Sequence, residues 1–186
     1  YSALSNYLQT INKKTNKERI FILETGTARG FSAICMAKAL DDNCTDGLIL
    51  TYDVLPHSVK MFWNSISDIT KGPQTRAKLL EYWGDLCQKY ILFHQGDTSL
   101  ELNKIYAERV HFAFLDGAHT YDDVMFEFSQ IREKQKSGDI VVYDDYNQKK
   151  FPGIVKAVDE ICYKYSYNKK IISSDINRGY VIATKN

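Results

Sequence analysis

Short, unbroken apolar runs recur seven times along this chain: IFIL from Ile20, LILTY from Leu48, YILF from Tyr90, HFAFL from His111, IVVY from Ile140, II at Ile171 and GYVIA from Gly179. A strand with one wet face alternates apolar and polar residues, whereas a continuous run suits a strand covered on both faces. Segments with helical periodicity separate most of the runs, near 2–12, 30–40, 58–69, 74–89, 99–107, 121–136 and 153–165. Right-handed crossovers at each strand-helix-strand step then predict an α/β fold, a doubly wound and mostly parallel seven-stranded sheet. Only the last connection is too short for a helix. The few polar residues before Asn177-Arg178-Gly179 predict a C-terminal antiparallel hairpin.

The 186 residues suit one domain spanning 1–186, with 58–89 as a two-helix insertion between the second and third strands. Hydrophobic residues at 44% and charged residues at 25% exclude a disordered or fibrous chain. The net charge is +1, and the pairs Lys13-Lys14, Lys149-Lys150 and Lys169-Lys170 are scattered, which argues against nucleic acid as partner. No run approaches a membrane span, so a soluble, cytoplasmic protein is expected. The chain opens on Tyr1, which leaves a preceding segment open. Cys35, Cys44, Cys87 and Cys162 lack metal-site spacing and read as reduced thiols, with Cys35 in the core. His57, His94 and His111 read as packing or surface residues.

The first strand runs into Glu24-Thr25-Gly26-Thr27-Ala28-Arg29-Gly30, followed by a helix. Glycines at such a turn permit positive φ and let a ligand approach the backbone beside a helix N-terminus, although a purely structural turn reads the same. A dinucleotide fingerprint would begin with glycine where this chain has Glu24. A carboxylate there repels a pyrophosphate and could hold, directly or through water, the ammonium of an amino-acid moiety, which suits S-adenosylmethionine better than NAD. Asp53 ends the second strand, where an acid can accept from a ribose diol. In Gly96-Asp97-Thr98-Ser99, Asp97 either accepts from the adenine amino group or caps the next helix. The expected donor set is Glu24, Gly26, Thr27, Gly30, Ser32, Asp53, Asp97 and Thr98.

With these residues the sequence resembles the class I, Rossmann-like methyltransferases over almost its whole length. FLDGAHTYDDV and GDIVVYDDYNQKKFPGIVKAVDE are similar to the macrocin and mycinamicin sugar O-methyltransferases, and more distantly to catechol O-methyltransferase. The resemblance implies a magnesium ion held by Asp116, Asp144 and Asp145, at the ends of the fourth and fifth strands. Hard oxygen ligands suit Mg²⁺, and three converging carboxylates without a cation would repel one another. The competing reading makes Asp144-Asp145 a turn and Asp116 a helix cap. The sugar-methylating group places an acid where this chain has Ala118, while catechol-type enzymes have a lysine base at the place of His119. His119 is therefore either the base that deprotonates the acceptor, with Asp116 beside it in catalysis, or a structural anchor.

The function expected is methyl transfer from S-adenosylmethionine to a hydroxyl of a small molecule, a sugar, glycoside or other vicinal diol, with Mg²⁺ assisting. The alternatives are a metal-free N- or O-methyltransferase and a non-catalytic module that binds S-adenosylmethionine. The chain is short beside family members whose N-terminal regions cover the acceptor. A lid is therefore expected to be either missing or supplied by a partner subunit, and the second alternative makes a homo-oligomer a further expectation.

Overall fold

The computed structural model describes residues 1–12, 18–175 and 178–186; Lys13, Lys14 and Asn177 fall outside them. Five parallel strands, β1 (Ile20–Thr25), β2 (Gly47–Asp53), β3 (Ile91–Gln95), β4 (Phe112–Leu115) and β5 (Ile140–Tyr143), lie beside β6 (Tyr167–Asp175) and β7 (Arg178–Lys185). The sheet order is β3-β2-β1-β4-β5-β7-β6, with β7 antiparallel to both β5 and β6. This is the doubly wound sheet with its antiparallel C-terminal pair.

The central runs IFIL and IVVY are buried on both faces. At the edges the same apolar signal has another outcome: Leu92 on β3 and Ile171 and Ile172 on β6 are exposed. An unbroken run therefore marks strand formation here, and position in the sheet decides the covering. Helices α1 (Ser2–Asn12) and α2 (Phe31–Asp42) place Leu4, Leu8 and Leu40 against one face. Helices α7 (Tyr121–Arg132) and α8 (Pro152–Lys164) place Phe128, Ile131 and Ile161 against the other. Pro152 opens α8 in the first turn, where its missing N–H costs nothing.

The segment after β2 departs from the expected pair of helices. Residues 58–65 are irregular, and only α3 (Ile66–Lys71) is helical in the first half. Asn64 sits at φ 52, and Asp68 turns its carboxylate onto the N–H groups of Trp63 and Ser65, so Ser65 is the N-cap and the helix starts at Ile66. The second half breaks into α4 (Arg76–Leu79), a 3₁₀ turn over Glu81–Trp83, and α5 (Gly84–Tyr90). Ile66 and Ile69, whose spacing suggests an apolar helical face, point to solvent. The helix expected near 99–107 shrinks to α6 (Thr98–Glu101) and a 3₁₀ turn. Among the described residues no helix is long and apolar enough to cross a membrane.

The chain leaves β1 towards β2 and β3, then returns to the other side of β1 as β4. That reversal opens a crevice above the carboxyl ends of β1 and β4, the place where doubly wound sheets bind ligands.

Candidate active site

The turn after β1 carries three positive φ angles, Gly26 at 80°, Ala28 at 44° and Gly30 at 87°. A Cβ on Gly26 would lie 2.0 Å from the carbonyl oxygen of Asp116, so only glycine lets the turn sit on the end of β4. Ala28, the one non-glycine among the three, is pinned from both sides. Its N–H donates to Asp53 Oδ2 at 2.5 Å, and its carbonyl accepts from Arg76 Nε at 2.6 Å.

Asp53 is less free than its place in the sequence implies. Besides Ala28, its carboxylate accepts from the Leu55 N–H at 2.8 Å and from Arg76 Nη2 at 2.9 Å. Three of its roughly four acceptor positions are thus taken by protein, and a ribose diol would meet little more than one. Glu24 is also changed in role. It is wholly buried, so it offers no surface for direct contact with an ammonium group; Thr51 donates to its Oε2 at 2.5 Å. Burial pushes its carboxyl up to about 7, against the pull of Ser32, Thr51 and Arg76. Thr27 shares a hydroxyl hydrogen bond with Thr51 at 2.6 Å. Asp97 caps α6 by accepting from the Ser99 N–H at 2.8 Å and remains exposed.

Two cavities meet at this turn. One, of about 530 Å³, is lined by Gly26, Thr27, Ser32, Phe114, Asp116 and Asp144. The other, of about 250 Å³, is lined by Gly26, Asp53, Asp97, Thr98, Gly117 and Glu127. Gly26 borders both, which gives an elongated ligand a bed across the bare backbone of the turn. Cys35, expected in the core, is half-buried and lines the larger cavity. Among the other histidines, His111 is buried and accepts from the Phe21 N–H, and His94 stacks on Tyr52.

The acids end neighbouring strands, as expected, but their grouping differs. The ligating atoms of Asp116, His119 and Asp145 lie within 4.8 Å of one another. Asp144 instead accepts from the Asp145 N–H at 2.6 Å and lies against Asp116. His119 Nε2 is 3.0 Å from Asp145 Oδ2, and its ring rests on Phe151 at 4.9 Å. Burial, then the charges of Asp144 and Asp145, push the Asp116 carboxyl up to about 8. A set of oxygen donors this crowded must take up either a proton or a cation, so the residues fit a hard divalent ion.

Two participants escaped sequence reasoning. Arg76, almost fully buried, comes from the segment after β2, where nothing in its spacing marks it. Glu127 had a signal: it falls on the buried stripe of α7 with Val124, Phe128 and Ile131, where a lone acid is out of place.

A model of the methyltransferase domain matches residues 23–146, from the middle of β1 to just past the acid pair after β5. The chain therefore belongs to that methyltransferase family, and with its fold it is an S-adenosylmethionine-dependent methyltransferase of class I. Similar solved structures include the O-methyltransferase NovP, 17% identical, with 100% of this chain and 78% of that one covered and a TM-score of 0.69. The O-methyltransferase TomG from Streptomyces achromogenes, in complex with S-adenosylmethionine, is 17% identical over 100% and 80% with a TM-score of 0.65. An O-methyltransferase from Bacillus cereus, in complex with S-adenosylhomocysteine, is 14% identical over 100% and 81% with a TM-score of 0.63. No curated protein matches the sequence.

Proposed function

We propose that this enzyme, as one domain over 1–186, methylates a hydroxyl of a small molecule bound in the larger cavity, with a divalent metal held by Asp116, Asp144 and Asp145. The observation that carries the reading is the convergence of Asp116, Asp145 and His119 beside Gly26, where the two cavities meet. The names of NovP and TomG as O-methyltransferases favour oxygen as the acceptor.

A bound donor would supply a methyl cation equivalent, and Mg²⁺ held by Asp116, Asp144 and Asp145 would lower the pKa of the acceptor hydroxyl and orient it. The backbone of Gly26 and the first turn of α2, with Thr27, Gly30 and Ser32, would support the donor, leaving Asp53, Asp97 and Thr98 to its nucleoside end. Glu24 reaches the donor's ammonium only through Ser32 or water. In an in-line transfer of the donor's methyl group to the acceptor oxygen, the sulfur would keep the bonding pair and His119 would take the hydroxyl proton. In this role Asp145 would orient the ring through Nε2, which lies 3.0 Å from its Oδ2. The 4.8 Å convergence also favours a second arrangement, in which His119 Nε2 is a metal ligand and not the base.

A small acceptor agrees with the scattered positive charge, and a cytoplasmic setting with the free cysteines. Donor turnover over a panel of glycosides and catechols, with and without Mg²⁺, tests the reading. Metal-independent turnover would favour the metal-free enzyme, and binding without turnover the non-catalytic module.

A further inference from the structure

Beneath the acids lies a cavity of about 10 Å³, the scale at which a protein interior holds one water. Leu115, Val124 and Ile154 supply apolar wall, while Asp116, Asp145, Tyr143 and Glu127 supply polar wall. Two of these lining residues each carry a buried atom with no hydrogen-bond partner: Tyr143 Oη and Glu127 Oε1. Both residues are about 1% exposed. Leaving two such atoms unsatisfied is costly, and their chemistry is complementary, since a phenol donates where a carboxylate accepts.

Glu127 is tied to the metal acids on its other side. Its Oε2 accepts from the Thr25 hydroxyl at 3.0 Å, and that hydroxyl accepts from the Asp116 N–H at 3.2 Å. A Cβ on Gly117 would lie 2.6 Å from Glu127 Oε1, so the chain just after Asp116 is bare where this oxygen sits.

We propose that the cavity is a resident water site in which one water accepts from Tyr143 Oη, donates to Glu127 Oε1, and turns its second hydrogen to the carboxylates of Asp116 and Asp145. Tyr143 and Glu127 are then positioning residues for those acids. This positioning role rests on the metal reading above; the water itself does not.

A high-resolution crystal structure of the metal-free protein is expected to show a water within hydrogen-bonding distance of both atoms. Tyr143→Phe is expected to lower the melting temperature and raise the Mn²⁺ dissociation constant about 10-fold, with S-adenosylhomocysteine affinity unchanged. Glu127→Gln, which keeps an acceptor oxygen, is expected to retain the water and near-normal Mn²⁺ affinity. An absent water, or a Tyr143→Phe melting temperature equal to or above the parent's, overturns the water site. Unchanged Mn²⁺ affinity in Tyr143→Phe overturns the positioning role. A parent protein that binds no Mn²⁺ overturns the metal reading, and the crystal structure and melting temperature then still decide the water.

Discussion

Arg76 and Asp53 form a buried ion pair at 2.9 Å that ties the segment after β2 to the glycine-bearing turn after β1. The same guanidinium holds the carbonyls of Ala28 and Leu55 and lies over the Trp63 ring at 5.5 Å. Breaking a buried pair by removing one partner costs about 3–5 kcal/mol, because the other charge is left uncompensated. Arg76→Met is expected to lose stability on that scale in denaturant titrations. S-adenosylhomocysteine affinity should fall with it, even at temperatures where the variant is fully folded. Asp53→Ala should weaken donor binding by about 1–3 kcal/mol and also destabilise the fold by orphaning Arg76.

Gly26→Ala places a methyl group against the Asp116 carbonyl and forces alanine to φ 80°. Overpacking of this kind costs about 1–3 kcal/mol, and here the yielding atom would be the backbone of Asp116, a proposed metal ligand. Calorimetry should show loss of both S-adenosylhomocysteine and Mn²⁺ binding. Gly84→Ala, with open space around its Cβ and an ordinary helical φ, is the control. It is expected to be neutral or to stabilise by about 0.5–1 kcal/mol.

Burial holds the Glu24 and Glu127 carboxyls up to about 7 in the folded protein. Their unfolded values are lower, so between roughly pH 4.5 and 7 the native state binds more protons than the unfolded state. Stability of the ligand-free protein should therefore fall as pH rises through that window, by roughly 3 kcal/mol per group at most. Urea denaturation across pH 5 to 8 checks this, and Glu127→Gln should flatten the slope.

His119→Asn separates the two roles open to this residue. As the base, its loss should lower turnover at neutral pH by about 10²-fold, partly recovered at higher pH, with Mn²⁺ affinity intact. As a ligand, its loss should weaken Mn²⁺ binding and turnover together. Unchanged turnover in the folded, donor-saturated variant would reduce His119 to a structural anchor.

Strand positions and the acid pair were legible in the sequence because each depends on local pattern: apolar runs end in Asp53, Asp116 and Asp144, and a parallel sheet brings strand ends together. The partners of those acids were not legible. Arg76 meets Asp53 only because an irregular segment folds back over the turn, which no periodicity reports. The helix expected at 58–69 forms only from Ile66 onward, and Phe62, Ile66 and Ile69, which carry the spacing of a buried face, lie exposed. Tertiary placement likewise decides the burial of Glu24, which its position before the glycine turn does not report.

The most direct test measures methyl transfer from S-adenosylmethionine to catechol and glycoside hydroxyls after exhaustive chelation, followed by addition of Mg²⁺. Turnover is expected to vanish on chelation and return with the metal, while S-adenosylhomocysteine affinity stays constant throughout. Full turnover in the chelated protein, with no response to Mg²⁺, would contradict the assignment of Asp116, Asp144 and Asp145 as a catalytic metal site.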